Sequence, residues 1–251
     1  MKVLSIGNSF SQDAHKYLHK LAASNGLEIN TVNLYIGGCT LEQHWQSITA
    51  DRAEYDLEYD GGEAVGKISI QQALISDHYD IVTLQQASHL SGIQESYDPY
   101  ITNLAAFVRK YQPLAKLYFH QTWTYEKFTE PSPYGNYYRQ VFANYDFDQE
   151  KMYQQLTDCA CVAAVQINAK LIPVGTLIHK LRETTPEFSQ NTGGRPLSRD
   201  GYHLSLDYGR FAAAAMWLYK LTGVLPKAGP FEDFDPALLK VIIDTILEIQ
   251  I

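Results

Sequence analysis

The sequence predicts an α/β protein, a three-layer α/β/α sandwich whose doubly wound, mostly parallel sheet has five strands. Three observations predict it. Short apolar runs alternate along the chain with segments of helical periodicity, as parallel strands and their crossover helices require. The first two runs stop at glycine and the next at paired glutamines, the polar punctuation of strand-to-helix turns. No internal repeat, charge block or low-complexity linker divides the 251 residues, so one domain over 1–251 is the simplest organisation.

Lys2 to Ile6 is an apolar run stopped by Gly7, the pattern of a buried strand. Ser11 to Ser24 sets Ala14, Tyr17, Leu18, Leu21 and Ala22 on one helical stripe, ended by Asn25-Gly26. Glu28 to Ile36 alternates and is rich in β-branched and aromatic residues, giving a second strand closed by Gly37-Gly38. Leu41 to Thr49 reads as a short helix, and 56–70, with Gly61-Gly62 inside it, as a β-hairpin insertion. Ile81 to Leu84 is the next strand, leading into Gln85-Gln86, and Pro99 to Tyr111 has helical periodicity. Lys116 to Phe119 is a strand running into His120-Gln121-Thr122-Trp123. The Pro- and Tyr-rich stretch from Glu130 to Tyr145 reads as a long functional loop. Asp148 to Asn168 is a helix, Leu171 to Val174 a strand, and Asp207 to Thr222 a helix that Gly223 caps.

Composition excludes several partners. Asp plus Glu total 28 against 20 Lys plus Arg, a net charge of −8 that gives no general attraction for phosphate backbones, so nucleic acid is not an expected partner. No apolar run approaches the roughly 18 residues a membrane span needs. The apolar stretch at the N-terminus is too short for a signal peptide, which implies the cytoplasm, or a secreted or periplasmic location if a leader has been removed. Cys39, Cys159 and Cys161 make neither a disulfide framework nor a C-x-x-C pair, and are expected as buried free thiols. His15 and His19 have a chelating spacing but no third partner, so no metal and no other cofactor is expected.

In a doubly wound sheet, ligands bind beyond the carboxyl ends of the strands. Ser9 follows the first strand directly and would lie at a helix N-terminus; taken alone, Asn8, Ser9 and Ser11 read equally well as helix caps. Asp200 and His203 form a D-x-x-H pair, a spacing at which a turn can set a carboxylate against one imidazole nitrogen and leave the other as a base. A surface cap and a core histidine would use the same residues.

Together, an early serine and a late Asp/His pair on this frame resemble the SGNH (GDSL-like) hydrolase superfamily. The resemblance is carried by Gly7-Asn8-Ser9, by Gly37-Gly38 and by Asp200-Gly201-Tyr202-His203, with Gln85-Gln86 where the family's oxyanion asparagine is expected; it spans about residues 1 to 223. The chain departs from the family pattern twice, having Gly-Asn-Ser for Gly-Asp-Ser and no Gly-x-Asn-Asp motif, so it resembles a divergent branch. The resemblance implies a flavodoxin-like frame and an ester hydrolase in which Ser9 is the nucleophile, His203 the base and Asp200 its orienting partner. It further implies an oxyanion hole of the Ser9 and Gly38 amides with the Gln86 side chain, preferred over Gln85 because it lies nearer the loop. Gln85, His120, Trp123 and Tyr125 are expected to contact substrate, with His89 also near the pocket. Tyr134, Tyr137 and Tyr138 offer flat, polar-tipped rings suited to a sugar face. Arg195 and Arg199 read as surface charges that could bind an anionic substituent. The implied partner is therefore a small ester, an O-acetylated carbohydrate above all. A catalytically silent carbohydrate-binding module on the same frame is the rival.

Overall fold

The computed structural model describes residues 1–127, 135–189, 194–227 and 229–249. Val3, Leu4 and Ile6 of β1 (Lys2–Gly7) are all essentially inaccessible, because helices cover both faces of the strand. Val3 packs into one core and Leu4 and Ile6 into the other, as the two-residue period of a strand dictates. β1 pairs with β2 (Asn30–Tyr35) on one side and β5 (Ile81–Leu84) on the other, both parallel. Beyond β5 the sheet continues in parallel through β6 (Lys116–His120) and β7 (Lys170–Ile172). Beyond β2 it continues antiparallel through β3 (Tyr55–Tyr59) and β4 (Ala64–Ile68). The order is β4-β3-β2-β1-β5-β6-β7, so the chain switches direction between β1 and β5 and opens a crevice at the carboxyl end of β1.

One face carries α1 (Ser9–His15), α2 (Leu18–Ser24), α8 (Val174–Thr184), α9 (Tyr208–Thr222) and α10 (Pro236–Leu247). The other carries α3 (Leu41–Thr49), α4 (Ile70–Ser76), α5 (Tyr100–Tyr111) and α7 (Gln149–Gln166). The three-layer expectation thus holds, with differences that have physical causes. The sheet has seven strands rather than five, because the hairpin pairs by its backbone with β2 instead of standing apart. β4 is largely exposed and lacks the apolar run that marks a buried strand. The stripe expected as one helix over Ser11 to Ser24 is interrupted between His15 and Leu18. There the hairpin tip packs on α1: a Cβ on Gly61, whose φ is +70°, would lie 2.7 Å from the Lys16 Cα. Within the expected loop from Glu130 to Tyr145, α6 (Gly135–Phe142) buries Tyr138 and Phe142, while Tyr134 lies outside the described residues. Cys39 and Cys159 are buried free thiols, but Cys161 faces outward from α7 and is exposed. No helix among the described residues is long and apolar enough to cross a membrane.

Candidate active site

Gly7 allows β1 to pass directly into α1. A Cβ there would lie 2.3 Å from the Ser11 Oγ, which instead tucks under the turn and donates to the Asn33 Oδ1 at 2.7 Å. Asn8 caps the helix by accepting the Phe10 N–H at 3.0 Å, and its Nδ2 donates to the Cys39 carbonyl at 3.1 Å. The second bond explains Asn where Asp is usual: a carboxylate would face a carbonyl oxygen with no proton between them. Asn8 therefore ties the turn bearing Ser9 to the loop bearing Gly38, whose φ of +64° favours glycine. Among the described residues, the N–H groups of Ser9 and Gly38 have no protein acceptor.

The second half of the site is the turn over 198–204, closed by a bridge between Ser198 and Leu204, with Gly201 at φ +90°. Trp123 Nε1 donates to the Tyr202 carbonyl at 2.6 Å and the Glu126 N–H donates to the Gly201 carbonyl at 2.8 Å, pinning the turn to the segment after β6. So held, His203 Nε2 lies 2.9 Å from Ser9 Oγ, and His203 Nδ1 lies 2.6 Å from Asp200 Oδ2. Asp200 Oδ1 accepts the His203 N–H at 2.8 Å and the Tyr202 N–H at 3.3 Å. Burial pushes the Asp200 carboxyl up, but the bonds from the His203 side chain and backbone and from Tyr202 outweigh it, and the net shift is downward. An ionised carboxylate only accepts, so the imidazole proton sits on Nδ1 and the Nε2 lone pair faces the serine. A serine, a base of the right tautomer and an orienting anion are in register for nucleophilic attack.

Ser9, His203, Gly38 and Tyr125 line one cavity of about 250 Å³, with Tyr35, Tyr137 and Tyr202 around them. Tyr125 and the more loosely expected His89 stand on its wall. Four other expected residues do not. Gln86 is diverted: its Oε1 accepts the N–H groups of Leu41 and Ala87 at 3.0 and 2.8 Å, and its Nε2 donates to Ser96 O and Oγ, both at 3.0 Å. Its amide is spent on loop backbone, so the expectation that it meets the oxyanion is corrected. Gln85 is buried and turned to Asn8, donating to Oδ1 at 2.7 Å and accepting from His120 Nδ1 at 3.0 Å. His120 is fully buried behind it, and burial lowers its pKa to about 3. Trp123 is equally inaccessible and stacks on Phe10 at 4.1 Å, supporting the site from beneath. Arg199 is not a free surface charge, since its Nη1 donates to the buried Asp13 carboxylate at 3.0 Å. His15 and His19 have separate partners, Ser5 Oγ and the Ile29 carbonyl, each at 2.8 Å. The described residues contain no His, Cys, Asp and Glu group that could hold a metal ion.

Sequence reasoning missed Ser88, Phe10, Tyr35 and Tyr202 on the cavity wall. The signal for Tyr202 was its place inside Asp-Gly-Tyr-His, and for Ser88 its place just past β5. A larger cavity of about 640 Å³ lies at the amino ends of β5 and β6, among His78, Asp80 and Lys116. Volume does not select it, because it holds no aligned nucleophile and base.

The family model for the domain of unknown function DUF4886 matches residues 2–235. No curated protein matches the sequence. A crystal structure of a DUF4886 family protein from Bacteroides uniformis is similar at 35% identity and TM-score 0.86, covering 99% of this chain and 93% of that one. A candidate SGNH hydrolase from Slackia heliotrinireducens is similar at 20% identity and TM-score 0.60, covering 88% and 98%. A lipase/acylhydrolase from Enterococcus faecalis is similar at 14% identity and TM-score 0.54, covering 91% and 99%. The chain belongs to the DUF4886 family and shares the α/β/α fold of these solved hydrolase structures.

Proposed function

We propose that the protein is a serine ester hydrolase that removes a small acyl group, acetate above all, from a carbohydrate or a similar soluble alcohol. The observation that carries the reading is the 2.9 Å contact of His203 Nε2 with Ser9 Oγ, backed by Asp200 on Nδ1. Ser9 Oγ attacks the ester carbonyl as His203 takes its proton. The tetrahedral adduct collapses to an acyl-serine as the imidazolium gives that proton to the leaving alcohol. Water, deprotonated by the same nitrogen, then releases the acid and regenerates Ser9. The Asp200 carboxylate favours the imidazolium formed in both halves, and the Ser9 and Gly38 N–H groups are the backbone donors to the oxyanion.

The cavity argues for a small acid and a hydroxylated alcohol. Its volume, about 250 Å³, is below the roughly 300–1,000 Å³ common for ligand pockets. Its tyrosine rings offer apolar faces with polar edges, as a sugar does. The diversion of Gln86 favours the rival, a silent carbohydrate-binding module. A fluorophosphonate probe separates the two: the hydrolase is labelled at Ser9, whereas a binder stays unmodified. Ser9→Ala is expected to lower aryl acetate turnover by roughly 10⁶-fold. Turnover retained in that variant removes Ser9 as nucleophile. Acetate release from a panel of acetylated sugars tests the substrate class; silence there with activity on long-chain esters overturns it.

A further inference from the structure

The carbonyl oxygen of an ester attacked by Ser9 becomes an oxyanion, and its stabilisation depends on donors fixed before the reaction. The N–H groups of Ser9 and Gly38 are two. A side chain is the usual third, but Gln86 gives its amide to Ser96, while Gln85 is turned to Asn8 and, like Gln86, does not line the cavity. Two other polar side chains from the carboxyl ends of β5 and β6 line the same cavity, Ser88 and Tyr125. Their hydroxyl oxygens are 2.9 Å apart.

Two hydroxyls bring two protons and share one hydrogen bond, so one proton is unspent. The direction of the shared bond decides whose. A phenol is the stronger acid and the better donor, and an alkyl hydroxyl is the better acceptor. Tyr125 is also the more enclosed of the two, at 1% exposure against 7% for Ser88. Burial pushes its phenol well above the ordinary range, so it keeps its proton for donation. Tyr125 therefore donates to Ser88 Oγ, and the Ser88 proton is left to the cavity. Both residues are held rigidly. The Ser88 carbonyl accepts from Ser91 Oγ at 2.8 Å, and the Tyr125 carbonyl accepts from Gln149 Nε2 at 2.6 Å. The Tyr125 ring packs against Tyr138 and Phe142, each with centroids 5.6 Å away.

We infer that the Ser88 hydroxyl is the side-chain donor to the oxyanion formed at Ser9, and that the Tyr125 hydroxyl is a positioning residue which orients and polarises it. The inference rests on the ester hydrolase reading. It replaces an amide N–H with an O–H that a neighbouring phenol strengthens, since linked hydrogen bonds polarise one another.

The test is steady-state hydrolysis of an aryl acetate by wild type, Ser88→Ala, Ser88→Thr and Tyr125→Phe, with fluorophosphonate labelling of each. Ser88→Ala is expected to lower kcat by about 10²- to 10³-fold with little change in KM, because the donor acts on the transition state. Ser88→Thr keeps the hydroxyl and is expected to restore most of that loss, which a cavity or a fold defect would not allow. Tyr125→Phe is expected to cost about tenfold in kcat, the scale of one hydrogen bond. If wild type hydrolyses the ester and is labelled at Ser9 while Ser88→Ala keeps its kcat, the inference falls and the hydrolase reading stands. A rise in KM at constant kcat would make Ser88 a substrate-binding group and overturn its assignment to the oxyanion. If wild type is neither labelled nor active, both readings fall together.

Discussion

The carboxylate of Asp13 accepts the backbone N–H of Leu204 at 2.9 Å, joining the helix that begins with Ser9 to the residue after His203. Asp13 lies one turn along α1 from Ser9 and is fully buried. It also receives Arg199 Nη1 at 3.0 and 3.1 Å and Arg210 Nε at 2.8 Å. A single buried anion thus holds together the two chain segments whose contact defines the site. Its charge is matched by two guanidinium groups and satisfied by a peptide N–H, the condition under which a buried ion is tolerated.

Asp13→Asn removes the charge while keeping the shape, leaving Arg199 and Arg210 without their counterion. The expected loss is about 3–5 kcal/mol of stability, read as a lower urea midpoint. Surviving folded molecules should also lose probe labelling at Ser9, since the His203 turn is no longer fixed to α1. An unchanged midpoint with unchanged labelling refutes this role.

Gln86→Ala separates a structural amide from a catalytic one. The substitution strands the Leu41 and Ala87 N–H groups and the Ser96 carbonyl, at a cost of about 1–3 kcal/mol in stability. Its kcat on an aryl acetate should stay within about tenfold of wild type, against the 10²- to 10³-fold loss of a true oxyanion donor. Thermal melts and initial rates on one preparation decide it.

Acid should unfold the protein through its buried histidines. Burial lowers the pKa of His15, His44 and His120 from 6.5 to about 3. The folded state holds these rings neutral, while the unfolded chain takes up a proton on each as pH falls through 6.5. Their contribution to stability is therefore complete above pH 6.5 and is lost between there and about pH 3. Each ring adds at most about 1.4 kcal/mol per pH unit within that window. Urea midpoints measured from pH 7 to pH 4 should fall steadily, and a flat profile would show that the rings are not held neutral.

What the sequence disclosed follows from which interactions are local. The turn bearing Ser9 and the Asp200–His203 pair were legible because each is a short motif with its own geometry, and the fold of alternating strands fixes where such turns end up. Two helices, α8 and α10, went unread, although Leu177, Ile178 and Leu181 in the first and Leu239, Ile242, Ile243 and Ile246 in the second are buried at helical spacing. Side-chain direction beyond β5 was not legible. Gln85 and Gln86 are adjacent and chemically identical, and only the position of Asn8, Leu41 and Ser96 in space decides that neither turns to the serine. His120 and Trp123 follow a strand as a pocket residue would, yet the packing of Phe10 and Tyr202 over Trp123 seals them below. Arg199 looked like surface charge because its counterion stands at the other end of the chain.

The antiparallel hairpin that flanks β2 has a bearing on self-association. Backbone groups along an unprotected sheet margin invite strands from neighbouring molecules, and a long apolar margin is the most dangerous. Here one margin is β4, a five-residue strand that includes Gly66 and Lys67, and the other is β7, only three residues long. Neither gives a foreign strand much to align with, so crowding alone should not drive these molecules into stacked, fibre-like aggregates.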